Sequence, residues 1–289
     1  MTDVTLLPFD RFSETVYATV HDGYGLVCMY ASEPGAVPGA IDAVFRRGGD
    51  LRVFRTELSS PEYPSLSALS PLVVPYEREM KEMNGLIPTG SKDQGPQRIM
   101  WEFVNGHPLQ KGPLPAERRQ VPIPDNAVSG EGVFEIPVGP VHAGVIEPGH
   151  FRISAAGEPI LRLTTHLGYT YRGIERLLET PAAQDNTRLV ERIAGDCSVA
   201  NALAYAHVME EGTEVPRRAR LLRVIFAELE RIYCHISDIG GMATDTGFCV
   251  PTAFGAGLKE KMLRLNELIG GHRFLMGSIV PGGVRRDIS

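Results

Sequence analysis

Twelve residues, Gly139-Pro140-Val141-His142-Ala143-Gly144-Val145-Ile146-Glu147-Pro148-Gly149-His150, gather two histidines, a carboxylate and three glycines. Imidazole and carboxyl groups move protons once their surroundings shift them toward the working pH, and glycines let a backbone approach a ligand closely. The same composition also suits a hairpin loop whose polar groups satisfy one another. A second set lies in Leu167-Gly168-Tyr169-Thr170-Tyr171-Arg172-Gly173-Ile174-Glu175. There Arg172 with Glu175, and Arg172 with Arg176, have the spacings that share a helical face, lining a polar cavity or forming a solvated surface. The third set is Glu191-Arg192-Ile193-Ala194-Gly195-Asp196-Cys197-Ser198-Val199-Ala200-Asn201. A single cysteine on an apolar helix more often packs as a small hydrophobe, and one thiolate does not hold a transition metal unaided.

The elements that must position these residues fall on either side of a Pro-rich stretch. From Thr15 to Arg55 the pattern is strand-like: Thr15–Val20, a turn at Asp22-Gly23-Tyr24-Gly25, then Leu26–Tyr30. Ala43–Arg46 and Leu51–Phe54 flank Gly48-Gly49-Asp50 and predict a hairpin. Tyr76–Met83 predicts a short helix closed by Asn84-Gly85. Residues 1–105 are therefore expected to form a small α+β domain. Residues 106–132 carry repeated prolines without apolar periodicity and predict an extended linker across a surface.

In residues 133–289, Phe134–Val138 and Phe151–Ser154 predict two strands, after which helices dominate. One helical segment ends at Thr180-Pro181. Thr187 to Glu211 has apolar residues at Leu189, Ile193, Cys197, Ala200, Ala204 and Val208, a repeat of about 3.6 residues. Pro216 suits the first turn of a long helix with Leu221, Leu222, Ile225, Phe226, Leu229 and Ile232 on its apolar side. A further helix, Leu258 to Ile269, stops at Gly270-Gly271. The expected fold is an α+β N-terminal domain followed by a mainly α-helical bundle entered through a small β element.

The 289 residues, 43% hydrophobic and 22% charged, exclude a disordered or collagen-like chain. A formal net charge of −6 argues against nucleic acid as the main partner. Dispersed cysteines at 28, 197, 234 and 249, with no basic and apolar leader, fit a reducing compartment rather than a disulfide scaffold. No apolar run reaches the roughly 18 residues needed to span a membrane.

Taken in order, Gly-Pro-Val-His-x-Gly-x-Ile-Glu-Pro-Gly-His-Phe-Arg from Gly139, Leu-Gly-Tyr-Thr-x-Arg-Gly-Ile-Glu from Leu167 and Glu-Arg-Ile-x-Gly-x-Cys-Ser-Val-Ala from Glu191 resemble the large subunit of membrane-bound, energy-converting [NiFe] hydrogenases. That family includes the formate hydrogenlyase and hydrogenase-4 types and is homologous to the quinone-site, 49 kDa type subunit of complex I. The resemblance continues through Phe274–Arg285. Upstream, Tyr63-Pro64-Ser65-Leu66, Tyr76–Met80 and Gly85-Leu86 resemble the 30 kDa type subunit of complex I, which formate hydrogenlyase-type proteins carry fused to the large subunit.

The resemblance implies a membrane-associated oxidoreductase subunit, peripheral on the cytoplasmic side of the inner membrane. Its implied partners are an iron–sulfur small subunit, other peripheral-arm subunits and antiporter-like membrane subunits, with iron–sulfur clusters held by those partners. In the family, a Cys-x-x-Cys near each end of the large subunit supplies thiolates to a Ni–Fe centre. Here Ala194 occupies the first position of the N-terminal pair, Cys197 is the residual ligand, and Asn201 replaces a frequent histidine. The chain stops before the second pair is expected, which favours an incomplete chain over a truncated pseudo-enzyme or a cofactor-less relative. By the same resemblance Glu147 matches a carboxylate proposed as a proton gate, and His142 and His150 lie in the loop that borders a quinone headgroup. Arg172 and Arg192 are candidates to hold the cluster-bearing subunit or tune its potential, and Tyr171 stands where histidine is frequent. The alternative is a non-catalytic structural or assembly subunit that clamps an iron–sulfur partner.

Overall fold

The structure, a computed structural model, describes residues 3–32, 39–91, 95, 98–99, 106–110, 128–142, 148–169, 171–179 and 186–288, with the backbone alone at 140–142. The chain divides into two compact units, Met1–Gly173 and Ile174–Ser289. The expected 106–132 linker lies mostly outside the described residues, as do Glu147 and Thr180-Pro181.

In the first unit, β1 (Val4–Leu6), α1 (Phe9–His21), β2 (Gly25–Ser32), β3 (Ala40–Arg47) and β4 (Asp50–Glu57) build a sheet of order β1-β4-β3-β2. Its β1–β4 pair is parallel and the others antiparallel. The β3–β4 hairpin forms where the glycines predict it. Thr15–Val20 is not a strand: it lies in α1, whose buried residues Phe12, Val16 and Thr19 recur at helical spacing. β-Branched residues disfavour helix by a few tenths of a kcal/mol each. Burying Phe12 and Val16 against the sheet returns about 1.5–3 kcal/mol apiece, so packing overrides propensity.

Helix α2 (Val74–Asn84) ends at Gly85 in the left-handed conformation, φ 77°. A Cβ there would also stand 2.8 Å from the His107 ring, so glycine meets two demands at once. Leu109 N–H donates to Met83 O at 2.8 Å, fixing the first residues of the Pro-rich stretch against the end of α2. Glu77, buried on α2, accepts from Ser65 Oγ and Leu66 N–H, both at 2.7 Å. The short parallel strands β5 (Glu62–Pro64) and β6 (Ile87–Thr89) pair beside it.

Further along, β7 (Val133–His142), β8 (Gly149–Ala156) and β9 (Ile160–His166) form an antiparallel meander. The first two answer the sequence pattern. β9 does not, because its Ile160, Leu161 and Leu163 are all exposed and show no alternation of apolar and polar residues.

The second unit holds α3 (Ile174–Leu178), α4 (Thr187–Val190), α5 (Ser198–Met209), α6 (Arg217–Asp245), α7 (Cys249–Gly270) and the hairpin β10 (Ile279–Val280) with β11 (Gly283–Val284). The apolar repeat across Thr187–Glu211 is thus two helices. Turns at 191–197, around Gly195-Asp196, interrupt it and leave Ile193 and Cys197 outside both. Helix α6 begins after Pro216, as expected. Helix α7 starts at Cys249, well before Leu258, and ends at Gly271 with φ 81°. Val199, Ala202 and Ala206 of α5 pack with Leu222 and Phe226 of α6 and with Leu275 and Ile279. Leu221, Ile225 and Ile232 face solvent instead of this core. No described helix is long and apolar enough to cross a membrane.

Candidate functional site

The first group of candidates sits at one end of the β7–β8 hairpin. The ladder pairs His142 with Gly149, and Glu147, between them in the chain, lies outside the described residues. Gly149 is buried, and a Cβ on it would come within 2.9 Å of Leu167 Cδ2. Its neighbour His150 pairs across the sheet with His166, their ring centroids 5.8 Å apart. His142 and His150 therefore occupy the same hairpin end, as their loop spacing suggests, and His166 joins them from a strand that sequence reasoning missed. Arg172 does not share a helical face with Glu175 and Arg176. It is exposed in the irregular residues before α3, because Gly173, at φ 68°, breaks the chain between them.

The second group is in the helical unit, around the turns at 191–197. Arg192 is exposed, and its Nη1 donates to Arg188 O at 2.6 Å. Cys197 takes the N-cap position of α5 but its side chain caps nothing. That task falls to Glu230 of α6, whose carboxylate accepts from Val199 N–H at 2.6 Å and Ala200 N–H at 2.9 Å. Asn201 Nδ2 donates back to Cys197 O at 2.9 Å. The Asp196 carbonyl, immediately before Cys197, accepts from Tyr233 Oη at 2.6 Å and Cys234 Sγ at 3.3 Å.

Electrostatics here disfavour anions. Burial pushes the Cys197 thiol up, with Asp196 and Glu230 adding to it. Burial followed by Cys197, Asp196 and Glu230 pushes Cys234 up to about 12. Glu230 is itself raised by burial, against the two backbone N–H groups that favour its ionised form. Glu191, also raised by burial, accepts from Gly277 N–H at 2.5 Å, and Ser198 Oγ donates to Phe274 O at 2.5 Å. These contacts lock the 191–198 segment onto the 274–277 turn. Sequence reasoning singled out Cys197 and overlooked Glu230 and Tyr233. The available signal was their spacing, since Glu230, Tyr233 and Cys234 share one face of α6 at three- and four-residue intervals.

Among the described residues, no three His, Cys, Asp or Glu side chains converge where they could hold a metal ion. With Ala194 at the first position and Cys197 at the last, the segment offers one thiol where a Cys-x-x-Cys offers two.

Residues 41–118 match the family described as respiratory-chain NADH dehydrogenase, 30 Kd subunit. Hydrogenase-4 component G of Escherichia coli is 36% identical over 242 residues, covering 80% of this chain and 44% of that protein. Formate hydrogenlyase subunit 5 of the same organism is 32% identical over 243 residues, covering 80% of this chain and 43% of the relative. An NADH-quinone oxidoreductase subunit of Bacteroides thetaiotaomicron is 27% identical over 262 residues, covering 82% of this chain and 49% of that protein. The chain spans less than half the length of each of these curated relatives.

Proposed function

We propose, for a chain whose homologues are subunits of membrane-bound hydrogenases and NADH-quinone oxidoreductases, that it serves in a membrane-associated oxidoreductase complex as a docking segment fused to part of a large subunit. One observation carries this reading. A segment matching the 30 kDa subunit family and continuous similarity to hydrogenase-4 component G run through a single polypeptide. In the domain plan, 1–105 docks, 106–132 links and 133–289 supplies the front part of the large subunit.

The loop between His142 and Gly149 is the proton-handling element in this proposal. A quinone takes up protons as it is reduced, and a loop carrying Glu147 with His142 and His150 at its base has the side chains to deliver them. Convergence of His150 and His166 at the same hairpin end supports the assignment. Arg172 and Arg192, both exposed, are the residues that would meet a neighbouring iron–sulfur subunit. The other partners are peripheral-arm and antiporter-like membrane subunits, and the complex sits on the cytoplasmic side of the inner membrane. Ala194 in place of a cysteine argues against a standard Ni–Fe site.

The test is Glu147→Gln in the assembled complex. Quinone-dependent turnover should disappear while the complex still assembles; normal turnover sinks the proton role and leaves a structural or assembly subunit. Elemental analysis of the same complex should find iron without stoichiometric nickel. One nickel per complex would overturn the reading of Ala194.

A further inference from the structure

We propose that the solvent side of helix α6 is a self-association surface, on which a second copy of this chain lays its own α6 antiparallel across a two-fold axis at Ile232. The inference stands apart from the function proposed above and needs neither quinone nor metal.

Exposure and spacing carry it. Leu221, Ile225 and Ile232, expected in a core, continue through Ile239 and Met242 along one side of the 29-residue helix. All five are between 43% and 62% exposed, while Phe226 and Tyr233 on the opposite side are each 1% exposed. Together with the exposed Glu228 and His235, the five step along α6 at alternating intervals of four and three residues, the pattern of a helix that packs lengthwise on another helix. From Leu221 to Met242 this seam runs about 32 Å. Contiguous apolar surface on that scale marks an interaction site.

The order of residue types selects the occupant. Leu221 with Met242, Ile225 with Ile239, and Glu228 with His235 share one midpoint, within half a residue of Ile232. A two-fold axis at that point brings Ile225 of one protomer to the partner's Ile239 and Glu228 to the partner's His235, each pair occurring twice. An imidazole N–H donates to a carboxylate, so the polar positions satisfy one another while the isoleucines are buried. Parallel pairing would instead set Glu228 against the partner's Glu228. The two Arg231 side chains that flank the axis are each paired with their own Glu228, which offsets their like charge.

The experiment follows the mass of the full chain by sedimentation equilibrium across a concentration series. The mass should rise from one chain to two and stop there. Ile232→Asp alters a residue that is on the surface of the single chain, so the thermal midpoint of the monomer should hold while the dimer weakens about 100-fold, roughly tenfold for each isoleucine withdrawn from the contact. Glu228→Lys and His235→Glu should each weaken the dimer, and the two together should restore it. A chain carrying both Ile225→Cys and Ile239→Cys, oxidised and mapped by mass spectrometry, should yield a peptide joining position 225 to position 239. Those positions lie about 21 Å apart along one helix, beyond the roughly 7 Å reach of a disulfide, so that link reports two copies. A chain that stays monomeric, a mass that climbs past two chains, an Ile232→Asp variant that associates like the unmutated chain, or links joining 225 to 225 would each overturn the proposal. So would a monomer whose position 232 is shielded only when other subunits are present, because the seam then takes a helix from one of them. The unmutated chain decides the first two outcomes by itself, so a variant that fails to fold leaves the test intact.

Discussion

Removing the Glu230 carboxylate tests how α5 is anchored. Helix α5 has no side-chain cap of its own, and two of its first N–H groups are satisfied only by a carboxylate from another helix. Hydrogen bonds to a charged acceptor contribute about 1.5–3 kcal/mol each, and burying the carboxylate gives back part of that. Glu230→Ala should therefore lose about 2–4 kcal/mol, a large share of the roughly 5–15 kcal/mol typical of a domain. Glu230→Gln keeps one acceptor oxygen but turns an amide donor toward the second N–H, and should lose about 1–3 kcal/mol. The pH dependence gives a sharper check. Burial raises the Glu230 carboxyl above its ordinary 4.5. The folded state then binds more protons than the unfolded state between those two values. Its stability contribution is full below the unfolded value and is lost as pH rises through the folded one. The difference between wild type and Glu230→Gln, measured by urea denaturation, should consequently grow as pH falls from 7 toward 4.5. A Glu230→Ala variant within about 0.5 kcal/mol of wild type, or a Gln penalty that shrinks on acidification, refutes the argument.

The other predictions concern the same unit. A Cβ on Gly255 would sit 3.1 Å from Gly240 Cα where α6 and α7 cross, whereas one on Gly240 would find its nearest atom at 3.7 Å. Gly240→Ala should raise the thermal midpoint by gaining up to about 1 kcal/mol of helix preference, while Gly255→Ala should lower it by about 1–2 kcal/mol of strain; the reverse order would exclude this crossing. Arg223 is buried and pairs with Glu210 while donating to Gly283 O at 3.0 Å. Arg223→Leu strands Glu210 and should lose about 3–5 kcal/mol in chemical denaturation. Arg273 and Arg264 hold the Glu260 carboxyl at about 2. The favourable interaction is complete above 4.5 and fades as pH falls through about 2, and in Arg273→Gln a carbon-detected NMR titration should find Glu260 moved up toward 4.5.

Local chemistry made part of this fold readable. Gly48-Gly49-Asp50 marks the β3–β4 hairpin, and Asn84-Gly85 marks the stop of α2, because in each case a particular backbone conformation is cheapest for those residues. Helix α1 was obscured by Thr15, Val16, Thr19 and Val20, whose strand preference is real but smaller than the value of packing Phe12 and Val16 on the sheet. The apolar repeat through Ile193 and Cys197 counted across Gly195-Asp196 and so joined two helices that the structure separates. At the candidate site the pairing of His142 with Gly149 was implicit in the loop, since both residues flank it. The cross-strand meeting of His150 with His166, and the approach of Cys234 to the Asp196 carbonyl, depend on register and helix packing that no local pattern encodes.

The Glu210–Arg223 pair also bears on how the chain matures during synthesis. Its two members leave the ribosome early, but the groups that complete their hydrogen bonding, Val280 O, Gly282 N–H and Gly283 O, emerge 57 to 72 residues later. Until then a guanidinium destined for burial must remain hydrated, which keeps the α5–α6 contact from closing dry. The β10–β11 hairpin thus supplies the polar groups that let the pair be buried. The buried pair is fully hydrogen-bonded only once that turn is in place.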